Sequence, residues 1–382
     1  MKIAFIDVTT TVSFGGVQTA VWQLAIVLTD LGHQVTIYGG DGTARADLEG
    51  RAVDVRTYPY TPRERFPNFG TRFRKLSERL SFARRAKADV IAACHDWVIL
   101  TKPFDFFWPR LMPAGHPTRF AFMSGGTDFM RGDRWLSGRI AAMVACSHFN
   151  AQQNYARFKR RVGVMFNGVD VSRFRPGQRD VQRRLALGFQ PGDVVFVFAG
   201  RLIGLKGLHL AVQALAEPGL SDLPAKLLIV GNGDALPRLQ RLAADIGVEE
   251  RIVFHPAVSH AELPALYACA DVGLFPGLGE EAFGISVAEA MACGLPVVAS
   301  YNGGMPEVIG NEGSCGRLFA LGDVEACASA MASMCASPEL CRSMGAAARL
   351  TIETQFTWRQ AAERLLAVLA AADADTGRHR PI

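Results

Sequence analysis

Residues 194–207 read Val-Val-Phe-Val-Phe-Ala-Gly-Arg-Leu-Ile-Gly-Leu-Lys-Gly, an apolar run that enters a glycine-rich turn. Such a run followed by glycine predicts a buried strand and a turn that leads into a helix. Strands joined to helices in this way build parallel sheets, which bind ligands at the carboxyl ends of their strands. This stretch therefore predicts an α/β fold, and it places Arg201 and Lys206 at the end of a strand.

The same alternation of strand and helix continues on both sides of this stretch. Towards the carboxyl terminus, short apolar runs predict further strands at 226–230, 252–254, 272–275 and 297–299. Helical patterns separate them, at 206–217, 234–246, 260–269, 284–293 and 323–353. Towards the amino terminus, strands are predicted at 2–7, 34–38, 89–94, 119–123, 143–146 and 162–166. Each series predicts one Rossmann-like domain with a parallel sheet.

The domain organisation follows from the segment 167–180, whose many turn residues predict a hinge. We expect an amino-terminal domain over 1–168 and a carboxyl-terminal domain over 169–356. A final helix at 357–376, with an apolar stripe along one side, is expected to cross back and complete the first domain. The two parallel sheets are expected to face each other across a deep cleft.

The composition is that of a globular protein with two domains: 382 residues, of which 49% are hydrophobic and 20% charged. A signal-peptide pattern and an apolar run of roughly 18 residues are both missing, so we expect a cytoplasmic protein that does not span a membrane. The eight cysteines include no C-x-x-C pair. Free thiols in a reducing compartment are therefore favoured over a disulfide framework or a metal site.

The net charge of +5 is unevenly distributed along the chain. Residues 1–170 contain 23 Lys and Arg against 14 Asp and Glu, whereas the remainder contains 18 against 22. The segment 63–87 alone holds nine cations and two acids, and its apolar residues form a helical stripe of Phe69, Phe73, Leu76, Leu80 and Ala83. This pattern fits a packed helix with a solvated basic face, and it also fits a helix that lies on an anionic membrane.

The segment 281–289, Glu-Ala-Phe-Gly-Ile-Ser-Val-Ala-Glu, holds two carboxylates around the predicted start of a helix. Gly284 permits close approach of the backbone, and the free N–H groups from Phe283 to Ile285 can donate to the hydroxyls of a sugar. Glu289 can accept hydrogen bonds from two vicinal hydroxyls, as on a ribose. An ordinary helix with a capping acid would produce the same pattern.

Charged and glycine residues at two neighbouring strand ends fit a phosphate-bearing ligand. Arg201 and Lys206 can neutralise the charge of a departing diphosphate without a metal, although surface cations in water would look the same. Gly231 and Gly233 close the next strand and would let a base or ribose approach the backbone. Such turns are also common wherever a strand leads into a helix.

Two features of the amino-terminal series leave their roles open. Phe14-Gly15-Gly16 stands at a helix start, where it fits either a structural turn or a phosphate contact. It does not match the G-x-G-x-x-G fingerprint of dinucleotide-binding proteins. His95 follows the predicted strand 89–94 and would face the cleft, so it is either a structural or a functional histidine.

Taken together, these residues resemble retaining glycosyltransferase family 4, which has the GT-B fold and includes enzymes of bacterial cell-envelope polysaccharide synthesis. The resemblance covers nearly the whole chain. It rests on six features in order: Gly15-Gly16, His95, Asn167–Asp170 with Phe174-Arg-Pro176, Arg201 with Lys206, the segment 281–289, and Asn302-Gly-Gly-Met-Pro-Glu307.

The resemblance implies a donor nucleotide held mainly by the carboxyl-terminal domain. Arg201 and Lys206 would hold the diphosphate, Glu289 the ribose, and the backbone around Val258 the base. Gly16, beside Gly15, would approach the phosphates from the other domain. The nucleotide would be part of a GDP-mannose or UDP-hexose donor, which serves as a substrate rather than a cofactor.

The resemblance also implies the site of the reaction. Glu281 and the backbone of Phe283, Gly284 and Ile285 would hold the transferred sugar, and His95 would contact it beside the acceptor. The family transfers with retention, with the diphosphate oxygen as the usual proposal for the base that takes the acceptor proton. It needs no metal, and the single D-x-D, Asp373-Ala-Asp375, is a coincidence of the carboxyl-terminal region.

The expected acceptor is a glycan or a lipid-linked sugar in polysaccharide or lipopolysaccharide biosynthesis, with a peripheral membrane contact through 63–87. We do not expect nucleic-acid binding, because the cations do not alternate with stacking aromatic residues. A non-catalytic subunit that binds sugar nucleotides is one alternative. Another is an epimerase or phosphorylase of the same fold, although no lysine has the context that pyridoxal phosphate would need.

Overall fold

The computed structural model describes residues 1–377, apart from 14, 49, 179, 311 and 312. The chain divides into two compact units. Unit 1 comprises Met1–Asn167 together with the helix that begins at Trp358, and unit 2 comprises Gly168–Thr357. The expected cleft concerns the placement of one unit against the other, and it stays a prediction.

Unit 1 is built around a parallel sheet. The strands in its described part are β1 (Lys2–Ile6), β2 (Gln34–Gly40), β3 (Asp54–Tyr58), β4 (Trp97–Leu100), β5 (Arg119–Ser124), β6 (Ala142–Ala145) and β7 (Gly163–Val164). They lie in the order β3-β2-β1-β4-β5-β6-β7. The helices between them are α1 (Gly16–Asp30), α2 (Thr71–Ala93), α3 (Trp108–Leu111), α4 (Asp133–Leu136) and α5 (His148–Phe158).

The sheet of unit 1 is buried on both faces, which explains why its strands read as continuous apolar runs. In β1, Ile3 and Phe5 belong to one hydrophobic core, whereas Ala4 and Ile6 belong to the core on the opposite face. Adjacent residues of a strand point to opposite sides, so helices must cover both faces of the sheet.

The predicted strand at 89–94 is wrong, because α2 runs through this segment to Ala93. The buried residues Phe82, Ala86 and Val90 of α2 recur every four residues, which is the period of a helix. Cys94 ends the helix in the left-handed conformation, with φ 46°. The strand of this region is β4, which the sequence patterns missed together with β3.

The predicted apolar stripe of the basic segment is not a single buried face. Ala83 is buried and Leu76 is partly buried, but Phe69, Phe73 and Leu80 are exposed. The face of α2 that packs onto the sheet lies to one side of this stripe. Three apolar residues of the stripe are therefore left facing solvent.

Unit 2 repeats the architecture with a parallel sheet of its own. The strands in its described part are β8 (Val194–Ala199), β9 (Ala225–Val230), β10 (Ile252–His255), β11 (Val272–Phe275), β12 (Val297–Ser300) and β13 (Gly316–Phe319), in the order β10-β9-β8-β11-β12-β13. Its helices are α6 (Val181–Ala186), α7 (Leu208–Ala214), α8 (Leu236–Asp245), α9 (Leu263–Tyr267), α10 (Ile285–Ala292), α11 (Met305–Ile309), α12 (Val324–Ala336) and α13 (Pro338–Gln355).

The single helix predicted over 323–353 is two helices. Ser337 separates them, and its hydroxyl accepts a hydrogen bond of 3.2 Å from the backbone N–H of Leu340. Pro338 occupies the first position of α13, where its missing N–H leaves no hydrogen bond unmade. The local chemistry of a serine cap and a proline therefore starts a new helix inside an otherwise continuous helical pattern.

The last helix, α14 (Trp358–Gly377), belongs to unit 1. Its residues Trp358, Ala361, Leu365 and Leu369 are buried in the same hydrophobic core as Ile3 and Phe5 of β1. Spacings of three and four residues place these side chains on one face of the helix. The carboxyl-terminal segment thus covers one face of the sheet whose strands come from the amino-terminal part of the chain.

The strand order of each sheet reverses at one point. In unit 1 the reversal lies between β1 and β4, because β2 and β3 follow on one side of β1 and β5 to β7 follow on the other side of β4. In unit 2 the reversal lies between β8 and β11. Ligands of open parallel sheets bind at the carboxyl ends of the strands beside such a reversal. The loops after these four strands are therefore the places to look for a site.

We predict that Leu365→Ala lowers the free energy of unfolding by about 2–5 kcal/mol, because Leu365 is fully buried and its loss leaves a cavity. Leu366→Ala, at a partly buried neighbour on the same helix, is the matched control and should cost less. Urea unfolding of both variants would measure the difference. Equal losses would contradict the assigned packing of α14.

Candidate functional site

The loops at the carboxyl end of the unit 2 sheet approach one another so closely that glycine is required. A Cβ atom on Gly231 would lie 1.9 Å from the carbonyl oxygen of Gly200, and one on Gly233 would lie 2.0 Å from that of Leu202. Two backbone hydrogen bonds of 3.0 Å join these strand ends. The Gly200 N–H donates to the carbonyl of Val230, and the Gly231 N–H donates to the carbonyl of His255. A ligand here meets backbone rather than side chains.

Lys206 and Glu281, which the sequence placed on different motifs, form an ion pair. Lys206 Nζ lies 2.6 Å from Glu281 Oε2, and both side chains are about one-third exposed. The backbone joins the two segments as well, since the N–H groups of Leu278 and Gly279 both donate to the carbonyl of Leu205. The predicted diphosphate cation and the predicted sugar carboxylate therefore lie side by side.

Arg201 extends from the same loop as Lys206 and is exposed. Within the described residues, its guanidinium makes neither a hydrogen bond nor an ion pair. An arginine without a partner at the carboxyl end of a strand is available to bind an anion through two parallel N–H groups.

The amino-terminal end of α10 carries free backbone donors. Gly284 precedes the helix in the left-handed conformation, with φ +91°, and its carbonyl accepts from the N–H of Ala288 at 3.0 Å. The N–H groups of the first turn, from Ile285 on, thus have no partner within the helix. The Phe283 ring is buried against Phe356, so only its backbone can face a ligand.

A clamp that sequence reasoning did not assign to the site holds the 277–281 loop in place. The Asn302 amide donates to the carbonyls of Gly277 and Gly279, at 3.1 and 2.6 Å. Gly304 N–H donates to the carbonyl of Glu281 at 2.8 Å. The Asn-Gly-Gly run at 302–304 was visible as a motif, but its contacts are long-range and depend on the fold.

Glu289 is almost fully buried and is held by His260, which sequence reasoning also missed. His260 Nε2 lies 2.6 Å from Glu289 Oε1, and its Nδ1 lies 3.4 Å from a guanidinium nitrogen of Arg173. Because the guanidinium can only donate, Nδ1 is the acceptor, and the ring proton on Nε2 points to Glu289. A lone histidine in the loop after β10 was the available signal.

Val258 lies two residues before His260 in the loop that follows β10, and it is partly buried. Asn232 joins this loop to the Gly231–Gly233 turn, since its side-chain oxygen accepts from Ala257 N–H at 3.4 Å. The structure thus brings the segment predicted to read the base beside the turn predicted to admit the nucleoside. The roles themselves stay predictions.

Gly15 and Gly16 stand at the start of α1, at the carboxyl end of β1 in unit 1. Acidic residues are missing from the first turn of α1, and Gly15 has no side chain to cap it. Gly125, after β5, approaches this turn so closely that an added Cβ would lie 2.7 Å from Val17. Phe14, the first residue of the predicted turn, lies outside the described residues.

The predicted position of His95 at the carboxyl end of a strand is wrong. His95 precedes β4 at the amino end of the strand, beside Lys2, which begins β1. Its Nε2 lies 2.9 Å from the hydroxyl of Tyr38, and the ring is buried. Because ligands of parallel sheets bind at the opposite, carboxyl edge, the geometry of this unit favours a structural role for His95.

The carboxyl edge of the unit 1 sheet instead carries a buried charge cluster. Arg79 of α2 pairs with Asp105, which follows β4, and lies 3.3 Å from Asp7, which follows β1. Burial raises the pKa of Asp105 to about 7 in spite of Arg79. Burial also acts to raise the pKa of Asp7, but Arg79, Lys102 and two hydrogen bonds from Thr9 together outweigh it and hold that pKa below its usual value. The cluster fixes α2 against two strand ends.

Within the residues that the structure describes, no group of three or more histidine, cysteine and acidic side chains is arranged to hold a metal ion. Asp373 of the D-x-D sequence forms an ion pair with Arg119. The side chain of Asp375 lies outside the described residues. Independence of metals and cofactors stays a prediction.

The fold and the loops define an α/β protein of two parallel-sheet units, the second of which brings close-packed glycine turns and the Lys206–Glu281 ion pair to one edge of its sheet. Residues 182–351 match the family described as Glycosyl transferases group 1, and residues 14–173 match the family described as Glycosyltransferase Family 4. The chain belongs to the family 4 glycosyltransferases.

Relatives support the same assignment. The chain is similar to the GDP-mannose-dependent alpha-(1-6)-phosphatidylinositol monomannoside mannosyltransferase of Mycolicibacterium smegmatis, with 37% identity over 53% of this chain and 54% of that protein. The match therefore spans about half the length of that relative. The protein of the same name from Mycobacterium tuberculosis is 29% identical over 94% of this chain and 96% of its own length.

Solved structures show the fold. Sucrose-phosphate synthase from Thermosynechococcus elongatus superposes with a TM-score of 0.80, over 98% of this chain and 99% of that chain, at 20% identity. The chain thus has the GT-B fold. Among the residues described, no helix combines the length and the apolar character that crossing a bilayer requires.

The burial of His95 predicts a measurable pH dependence of stability. Burial, together with the charges of Arg56 and Lys2, lowers the pKa of His95 from 6.5 to about 4. The unfolded chain therefore takes up this proton near pH 6.5, whereas the folded chain does so near pH 4, and acidification through that window favours unfolding.

We predict that lowering the pH from about 7 to about 5 reduces the free energy of unfolding less in the His95→Gln variant than in the wild type. Urea unfolding at both pH values measures the loss for each protein. Because each protein is compared with itself at the two pH values, any pH-independent effect of the substitution on stability cancels. If both proteins lose the same amount, His95 does not carry this linkage.

Proposed function

We propose that this protein transfers a hexosyl unit from a nucleotide sugar to a glycan or lipid-linked acceptor, with retention and without a metal. The observation that carries the proposal is the Lys206–Glu281 ion pair at the carboxyl edge of the unit 2 sheet. Lys206 shares its loop with Arg201, which is exposed and has no partner among the described residues. Membership of the glycosyltransferase family supports the reaction class.

The proposed donor is GDP-mannose. Two mycobacterial relatives are named as GDP-mannose-dependent mannosyltransferases, one of them similar over nearly the whole chain. A UDP-hexose is the alternative donor. The loop at Val258 and the Gly231–Gly233 turn would meet the base and the nucleoside, whichever nucleotide is bound.

The charges of the site fit the departure of a diphosphate. Arg201 and Lys206 would neutralise the charge that develops on the leaving oxygen, and Glu281 would accept hydrogen bonds from the sugar while it holds Lys206 in place. Glu289 would accept from the ribose hydroxyls, with His260 supporting the carboxylate from its other side. The first-turn N–H groups of α10 would complete the sugar contacts.

The proposed reaction needs no protein nucleophile. The acceptor oxygen would attack the anomeric carbon on the face from which the diphosphate departs, so that one carbon–oxygen bond forms as the other breaks. The acceptor proton would pass to the departing diphosphate oxygen. The products are the new glycoside and a nucleoside diphosphate, and the anomeric configuration is kept.

We predict that GDP and GDP-mannose raise the melting temperature of the wild type in the presence of EDTA, because they bind only the folded chain. Arg201→Ala should bind the nucleotide about tenfold or more weakly, since it loses charge-assisted hydrogen bonds to phosphate. Arg342→Ala, an exposed arginine on α13, is the control and should behave as the wild type.

Stabilisation by UDP and UDP-sugars alone would contradict GDP-mannose as the donor and support a UDP-hexose instead. No stabilisation by any nucleotide, from folded protein, would contradict the proposed function. Release of GDP in the presence of acceptor separates an enzyme from a binding subunit, because the latter would show the stabilisation without turnover. NMR of the product's anomeric centre would test retention.

The exposed side of α2, together with Phe69 just before the helix, supports a lipid-linked acceptor at the cytoplasmic face of a membrane. Phe69, Phe73 and Leu80 are 76%, 42% and 39% exposed, and the two phenylalanine rings contact each other edge to face. Helical spacing places the exposed Arg84 and Lys87 on the same side as Phe73 and Leu80. Apolar side chains flanked by cations suit an anionic bilayer surface, and such acceptors belong to cell-envelope glycan synthesis.

We predict that the wild type cosediments with phosphatidylglycerol vesicles at low salt and less so at high salt, where the charges are screened. Replacing Phe69 and Phe73 by Ser should weaken this binding by removing apolar anchors. The control replaces Val181 and Leu185 of α6, which are similarly exposed but lie on unit 2. If both pairs have the same effect, α2 is not the membrane contact.

A further inference from the structure

Unit 1 contains an arginine-rich pocket that none of the proposed roles uses. Its volume is ≈ 430 Å³, and it is lined by Arg72, Phe129, Met130, Arg131 and Arg157. Phe129, Met130 and Arg131 come from the loop after β5, which begins at the carboxyl edge of the sheet. This is the edge that also carries Gly15 and Gly16.

Two of the three guanidinium groups in this pocket are available to a ligand. Arg72 and Arg131 are exposed, and neither forms a hydrogen bond or an ion pair with the rest of the described chain. Lys75, one turn along α2 from Arg72, is by contrast paired with Asp128 at 2.6 Å. Arg72 and Arg131 therefore remain available in the pocket, whereas the neighbouring Lys75 is already neutralised.

The third guanidinium is fixed in position by the wall of the pocket. Arg157 donates from Nε to Asp133 at 2.9 Å and from Nη2 to the carbonyl of Met130 at 2.6 Å. Asp133 is fully buried, and it also accepts from the N–H of Met130 at 2.9 Å. One buried carboxylate thus holds both the loop and the arginine, so that part of the pocket is formed before any ligand arrives.

The pocket carries an excess of positive charge. Arg72 lies in the first turn of α2, where the helix dipole already presents partial positive charge. Acidic residues are missing from that turn, and the Gly70 cap offers no side-chain acceptor. The described residues that line the pocket thus include three arginines and no acid, and Asp133 neutralises Arg157 from behind.

We propose that this pocket binds a phosphate group of the acceptor. Arg72 and Arg131 would each offer parallel N–H donors to the phosphate oxygens, the arrangement in which arginine binds phosphate best. Phe129 and Met130 supply an apolar wall for the carbon skeleton that carries the phosphate. The assignment of this phosphate to the acceptor rests on the proposed function, whereas the phosphate site itself does not.

The test is protection of individual arginines from phenylglyoxal, followed by peptide mass spectrometry on the intact wild-type chain. The probes are glycerol 3-phosphate and phosphatidylcholine vesicles with or without phosphatidic acid. Arg85 is the matched control, because it is exposed on α2 but points away from Arg72. Arg201 reports on the donor site in the same digest, with GDP as its ligand.

We expect a phosphate probe to slow modification of Arg72 and Arg131 by about tenfold at saturation, with Arg85 unchanged. Protection by glycerol 3-phosphate identifies a site for a free phosphate ester, and protection by phosphatidic acid vesicles alone identifies a lipid headgroup. Equal protection of Arg85, or no protection by either probe, overturns the proposal. If GDP does not protect Arg201 from modification, the proposed function is contradicted, but the proposal of a phosphate site in unit 1 is not affected.

Discussion

The candidate site depends on backbone packing that tolerates no side chain. A Cβ atom on Gly207 would lie 1.9 Å from the carbonyl oxygen of Pro276, and one on Gly303 would lie 2.1 Å from that of Glu281. Both glycines have positive φ, at +66° and +58°, so a side chain would be strained as well as crowded. Together these contacts lock three loops, from three strand ends, into one rigid edge.

This rigidity decides how the charged groups meet. Lys206 stands one residue before Gly207, and the oxygen that Gly303 accommodates belongs to Glu281, so the same close contacts align the two ends of the ion pair. Glu289 is 7% exposed and would be costly to bury as an isolated charge, which is why its contact with His260 matters. Both carboxylates are thus oriented before a ligand binds, which reduces the entropy lost on binding.

Sequence reasoning succeeded where the signal was local. The strands at 194–199 and 272–275 are found at those residues because each is a buried apolar run that ends at glycine or proline. The strand at 89–94 failed because its short apolar run also completes the buried face of α2, and that error displaced His95 to the wrong edge of the sheet. Contacts such as His260 with Glu289 join distant residues, and no local pattern could reveal them.

The fold also shows that several cations of the basic amino-terminal half are not available to a partner. Of the cations in the 63–87 segment, Arg79 is buried between two carboxylates, Lys75 is paired, and Arg74 donates to the carbonyl of Phe66 at 3.0 Å. These side chains hold α2 to the sheet and its loops. The count of cations therefore overstates the charge that is offered to a partner, and the argument for an anionic acceptor rests on the few that remain free, such as Arg72.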